Sequence, residues 1–203
     1  TGTLPGVAVI DTGIQTNHPD LNRVGGVNFV DGNPFRCGTK SGGGNDDNGH
    51  GTHVAGTVGA KSGNGGVVGV APGAPLWGIK VLGSNGSGYL SDINCGIDWL
   101  TKNAASNGIK VANMSLGGEG GLDSSDKCDL NTGTYTGGDS EDKAICSAVS
   151  KGITFAVAAG NSNKDLQGFR PAAYDEVLTV TALSDFDGLE GAQFTGTGCR
   201  DDK

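Results

Sequence analysis

Six short apolar runs alternate with stretches of helical spacing, and this alternation constrains the fold more than any other feature of the sequence. The runs are Gly6 to Ile10, Val27 to Val30, Leu76 to Leu82, Val111 to Leu116, Ile153 to Ala159 and Val177 to Ala182. Between them, Ser91 to Ser106 places Ile93, Ile97, Leu100 and Ala104 on one helical face, with Asn107-Gly108 as a stop. A second helix is expected from Glu141 to Lys151, stopped by Gly152, and a third starts at His50 and carries Val54 and Val58. Near-continuous apolar strands alternating with helices predict an α/β fold with a mostly parallel sheet, helices on both faces and right-handed crossovers. The 39 glycines show no every-third period and prolines number only 6, which excludes a collagen-like chain. With aromatics at 5%, the core has to be built from Val, Ile, Leu and Ala.

Charge narrows the function. Against 22 Asp and Glu stand 14 Lys and Arg, a net charge of −8, so the basic stripe that nucleic acid requires is missing. The apolar runs fall well short of the roughly 20 residues that cross a bilayer, so no membrane partner is expected. Thr1 to Gly6 has no leader pattern, and any export signal is expected outside these residues. Cys37, Cys95, Cys128, Cys146 and Cys199 contain no C-x-x-C pair, which argues for disulfides in a secreted protein, with one cysteine left over. The glycine-rich segment Gly117 to Ser140 reads as an inserted loop, and its Asp123-Ser124-Ser125-Asp126 cluster as a solvated acidic turn without calcium-loop spacing.

In an open parallel sheet, ligands bind beyond the carboxyl ends of the strands. Asp11, Ser115-Leu116-Gly117-Gly118 and Gly160-Asn161 each follow a strand candidate and are expected to converge on one edge. Asp11 alone decides nothing, since ribose-binding and phospho-acceptor aspartates occupy the same position. Asn48-Gly49-His50-Gly51-Thr52-His53 sharpens it, because a glycine-flanked histidine at the head of a helix presents its imidazole to a cleft. His50 and His53 lack the His-Glu-x-x-His spacing of a zinc site, and His53 is expected to be a hydrogen-bonded packing residue.

Val9-Ile10-Asp11-Thr12-Gly13, His50-Gly51-Thr52-His53-Val54-Ala55-Gly56-Thr57 and Ala158-Ala159-Gly160-Asn161 resemble, in order and context, the motifs of the subtilisin-like serine proteases. Gly69-Val70-Ala71-Pro72, Lys80-Val81-Leu82 and Met114-Ser115-Leu116-Gly117-Gly118 extend the likeness from Val7 to about Ala182. The resemblance implies a three-layer sandwich and a serine endopeptidase. Asp11 would orient the imidazole, His50 would be general base and acid, and Asn161 would donate to the oxyanion. A peptide or protein substrate would lie as an added strand between Gly86-Ser87-Gly88 and Ser115-Leu116-Gly117. Gly118 and Ala158-Ala159-Gly160 would line the pocket before the scissile bond and leave room for large apolar side chains. A structural calcium would sit at Asp20 beside the loop Lys61 to Val67, although Gly63 stands where the family pattern has an amide ligand.

The departure from the pattern is the nucleophile. No Gly-Thr-Ser-Met-Ala motif exists, the single methionine is Met114, and no Gly-x-Ser-x-Gly elbow replaces it. Residues 1–203 are therefore expected to be part of a catalytic domain, truncated at both ends, inactive and poorly stable alone. The serine would lie on further chain or on a complementary fragment that stays bound. A catalytically dead descendant that binds peptides is the other reading. A Rossmann-like nucleotide binder fails because no G-x-G-x-x-G or P-loop follows a strand.

Overall fold

The computed structural model describes residues 4–31, 37–63, 65–120 and 125–182. Its first half runs β1 (Gly6–Asp11), β2 (Arg23–Asn28), α1 (His50–Gly59), β3 (Leu76–Lys80) and α2 (Leu90–Asn107). There follow β4 (Ile109–Met114), β5 (Gly118–Glu119), β6 (Lys127–Asp129), β7 (Thr134–Thr136), α3 (Ser140–Val149), β8 (Thr154–Ala158), β9 (Phe169–Arg170) and β10 (Leu178–Val180). The six strands expected from the apolar runs pair in parallel in the order β10-β8-β4-β1-β3-β2. The chain begins at the middle of the sheet, fills one side with β2 and β3, then crosses to the other with β4, β8 and β10. That reversal opens a crevice beside the carboxyl end of β1.

Strand periodicity divides the core in two. Ala8 and Ile10 of β1 face α2 and α3, packing with Ile79, Ile97, Leu100, Ala112, Ile145 and Phe155. Val7 and Val9 face the opposite way, toward Ala55 of α1, with Ile14, Leu21 and Leu76. The helices end as their sequences require. Gly108 closes α2 in the left-handed conformation, and Asp139 starts α3 by accepting the Glu141 and Asp142 amide protons.

Two expectations are corrected. The second strand spans Arg23–Asn28 and not Val27 to Val30, because Val24-Gly25-Gly26 reads as a turn by composition alone. The glycine is there for Trp77 of β3, since a Cβ at Gly25 would stand 2.2 Å from the Trp77 ring. Gly117 to Ser140 is also more than a loop. It holds β5, paired with β9, and a short antiparallel hairpin of β6 and β7 that the Cys128–Cys146 disulfide fastens to α3. A second disulfide, Cys37–Cys95, ties the loop before α1 to α2. Cys199, Asp123 and Ser124 lie outside the described residues, and no helix among those described is long and apolar enough to cross a membrane.

On the face shared with α1, the far half of the sheet is open among the described residues. Ala156 and Ala158 of β8 are half-buried, and their register partners Leu178 and Val180 of β10 are 61% and 58% exposed.

Candidate active site

Asp11, the last residue of β1, is fully buried, and His50 is the first residue of α1. They meet because Gly51 lets the helix start press onto the turn after β1. A Cβ there would fall 2.2 Å from the Gly13 carbonyl oxygen and 3.2 Å from Asp11 Cβ. His50 Nδ1 lies 2.7 Å from Asp11 Oδ1 and 2.9 Å from Oδ2, and the Thr12 amide donates to Oδ1 at 2.6 Å. A carboxylate accepts only, so the shared proton sits on Nδ1, and in the neutral ring Nε2 keeps its lone pair. Half of the imidazole surface remains open.

Two supports, half-buried Asp46 and buried Lys80, hold this pair. Asp46 Oδ1 accepts from the Thr12 hydroxyl and the Asn48 and Gly49 amides, each at 2.9 Å, and Oδ2 accepts from the Thr52 amide and hydroxyl at 3.0 and 2.6 Å. Partial burial opposes ionisation of Asp46. The bonds from Gly49, the Thr52 hydroxyl, Asn48 and the Thr52 amide outweigh it and hold its pKa at about 2. Gly49 is the cap of α1 and has no side chain, so Asp46 supplies the capping acceptor from a distance. On the other side, Lys80 Nζ donates to the Thr12 and Leu82 carbonyls, both at 2.8 Å, and to Asp47 Oδ1 at 2.6 Å.

A groove of about 420 Å³ opens at His50 between Gly86-Ser87-Gly88 and Ser115-Leu116-Gly117. Both expected walls thus stand beside the imidazole. Ala158, Ala159, Gly160 and Asn161 line an adjoining cavity of about 350 Å³, and Ser115 borders both. Gly118 is placed elsewhere, in a pocket of about 220 Å³ with Glu141 and Arg170. The Ser115 hydroxyl donates to Asn113 Oδ1 at 3.0 Å, and among the described residues the His50 ring bonds to Asp11 and to no serine. A larger cavity, about 790 Å³, runs along α1 against Val67, Val68 and Val70, and His50 is not among its lining residues. His53 is exposed there, which corrects the expectation of a packing residue: three positions past His50, it points to the solvent side of the helix.

Asp20 is half-buried, its carbonyl bonded by the Lys61 amide, and the Lys61 ammonium donates to Pro19 O at 3.2 Å. Calcium takes six to eight oxygens. No group of three His, Cys, Asp or Glu suited to a metal gathers among the described residues. Asn64 lies outside the described residues.

Sequence reasoning missed Asp46 and Lys80 as supports of the site, and the burial of Glu141 in the neighbouring pocket. Asp46-Asp47-Asn48-Gly49 before a helix is a capping signal that could have exposed the first. Lys80 stands in an apolar run with nothing to mark its partners, and Glu141 follows a cap where acids are ordinary.

A sequence model of the Subtilase family (Peptidase_S8) matches residues 2–202. Subtilisin DY of Bacillus licheniformis is 42% identical over 181 residues, covering 87% of this chain and 56% of that protein. Subtilisin Savinase of Lederbergia lenta is 42% identical over 182 residues, covering 90% and 56%. Subtilisin E of Bacillus subtilis (strain 168) is 40% identical over 204 residues, covering 98% and 45%. The crystal structure of a cold adapted subtilisin-like serine proteinase superposes with a TM-score of 0.65 at 35% identity, over 86% of this chain and 53% of the other. The chain spans about half the length of the curated relatives it matches. A family match over nearly every residue, on a sheet whose crevice brings Asp11 and His50 together, makes this chain a member of the subtilase family.

Proposed function

We propose that these residues form the acid-base and substrate-binding half of a serine endopeptidase, acting on extended peptide segments of proteins outside the cell. The observation that carries the reading is the Asp11–His50 pair, with Nδ1 bonded inward and the other nitrogen left for the groove between the two walls. His50 takes the proton of a serine hydroxyl through Nε2 as that oxygen attacks the scissile carbonyl. Asp11, buried against Nδ1, fixes the tautomer and stabilises the imidazolium. The peptide C–N bond then breaks as His50 returns the proton to the leaving amine, and water repeats the sequence on the acyl-enzyme. Asn161 donates its side-chain amide to the oxyanion, a neutral donor whose loss costs about 10² to 10³ in kcat in this family.

The serine is assigned to chain outside residues 1–203. Ser87 and Ser115 belong to the walls, and the Ser115 proton is directed to Asn113. The open apolar face of β8 and β10, next to Asn161, offers a seat for that further chain. Residues 1–203 alone are then inactive, and the dead peptide-binding reading differs only in lacking the serine. The two disulfides support an oxidising, extracellular location. A structural calcium at Asp20 belongs to the reading and enters no step; calorimetric titration with Ca²⁺ checks it.

The test is hydrolysis of a chromogenic peptide by the intact protein. We expect it to be abolished by a serine-directed fluorophosphonate and to fall about 10⁶-fold with His50→Ala, the scale on which this family responds. Peptide binding without hydrolysis would establish the binding module instead. Intact-mass analysis tells a single chain from a nicked pair.

A further inference from the structure

The wall at Ser115-Leu116-Gly117 continues into β5 with little of its own to hold it. Gly117, Gly118 and Gly120 have no side chains, and the Glu119 side chain is 82% exposed. Glycine loses the most backbone entropy on ordering, and the two-residue pairing of β5 with β9 is too short to order such a segment alone. Arg170 of β9 meets this segment at three points. It is the register partner of Gly118, its carbonyl oxygen lies 3.0 Å from where a Cβ at Gly117 would stand, and its guanidinium occupies the space a Cβ at Gly120 would need. The Gly120 amide closes the pair by donating to the Gly168 carbonyl at 3.1 Å.

The guanidinium is held in turn from its far side. Arg170 Nη1 donates to Asp139 Oδ2 at 3.2 Å, a charge-assisted bond to a carboxylate that is 10% exposed. Asp139 is itself fixed. Its Oδ1 caps α3 by accepting the Glu141 and Asp142 amides at 2.9 and 3.4 Å, and its Oδ2 also accepts from the buried Tyr174 hydroxyl at 2.8 Å. Gly120 and Asp139 flank the inserted segment that carries the hairpin of β6 and β7. One side chain therefore clamps both ends of the insertion, next to the wall, while the Cys128–Cys146 disulfide fastens the hairpin between them to α3.

We propose that Arg170 is a positioning residue for peptide binding: paired with Asp139, it fixes the wall at Gly117 and Gly118 and isolates it from the inserted hairpin. The proposal rests on the reading of that wall as peptide-binding, and it adds what keeps a side-chain-poor wall in place for an extended peptide. Arg170 does not line the groove at His50, so its effect belongs to affinity and not to the chemical step.

The test compares the intact protein with Arg170→Met, which keeps the stem but not the fork, and with Asp139→Asn, which keeps a capping oxygen for α3 but turns an amide donor toward the guanidinium. Hydrogen exchange read by mass spectrometry should quicken about tenfold across residues 115–120 in either variant, the size of one charge-assisted bond, while α1 keeps its rate. Hydrolysis of a hexapeptide p-nitroanilide should show KM raised about tenfold with kcat within about twofold. The double variant should be no worse than either single one, because both remove the same contact, and Arg170→Lys should recover part of the loss. If Arg170→Met does not fold, Asp139→Asn carries the same expectations. Unchanged exchange across residues 115–120 or an unchanged KM in the folded variants overturns the proposal, even where the urea midpoint falls, as does a loss that appears in kcat alone. If the unmodified protein hydrolyses nothing, the protease reading fails and anisotropy of a fluorescein-labelled hexapeptide replaces KM. Binding weakened about tenfold then sustains the proposal, equal binding overturns it, and no binding at all overturns it together with the reading of the walls.

Discussion

Lys80→Met asks how much of the Asp11 loop depends on one buried ammonium. The side chain is 5% exposed, and its Nζ is bonded to two main-chain carbonyls, Thr12 O and Leu82 O, as well as to Asp47. Methionine keeps most of the stem and its packing, so the perturbation is the loss of the donor. Asp47 is 54% exposed and recovers water. The two carbonyls belong to buried residues and lose their donor, at about 1–3 kcal/mol each. Relief of the buried charge returns part of this. The net expectation is a loss of about 2–4 kcal/mol, read as a urea midpoint lowered by about 1–2 M at an m-value of about 2 kcal/mol/M. Because Thr12 holds both Asp46 and the Asp11 carboxylate, the His50 Nδ1 proton should also move or broaden in the NMR spectrum of the folded variant. A midpoint within about 0.3 M of the parent and an unchanged His50 signal would refute the argument that Lys80 anchors this loop.

Three further outcomes follow from the same geometry. Gly51→Ala puts a methyl 2.2 Å from the Gly13 carbonyl, so the helix start has to retreat; we expect about 2 kcal/mol of destabilisation and loss of the His50–Asp11 bond, checked by urea denaturation and NMR. Asp46, depressed from 3.8 to about 2, binds its proton more weakly in the folded state, so stability present above pH 4 is lost as the pH falls toward 2, by about 1 kcal/mol once solvent screening of this half-buried group is counted. Asp46→Asn should remove that acid limb of the stability curve. Glu141 has the opposite sign: with its pKa raised from 4.5 to about 7 the folded state holds the proton more tightly. Stability should therefore fall by about 3 kcal/mol as the pH rises from about 4.5 to about 7, a slope that Glu141→Gln flattens.

The sheet was legible because its signal is local. Strands buried on both faces must be apolar at every position, as Val7 to Ile10 are, and the helices between them repeat at 3.6. The pair at the centre was legible for a different reason, since the glycines around His50 leave a pattern in the chain itself. Gly25 shows the limit: its neighbour Trp77 comes from another strand, so the run around it looked like a turn. Asp46 and Lys80 were invisible as supports because their partners lie across the fold, 34 and 68 residues away at Thr12. Glu141 was hidden by its position in the first turn of a capped helix, where an acid is expected on dipole grounds and burial is not.

The central claim is that His50, held by Asp11, serves a serine outside these 203 residues. The direct measurement is to react the intact protein with a fluorophosphonate and map the labelled residue by peptide mass spectrometry, with His50→Ala as the comparison. A label on a serine outside residues 1–203, lost with His50→Ala, is the predicted result. A label on Ser87, Ser115 or any other serine within them, or labelling that persists without His50, would contradict it.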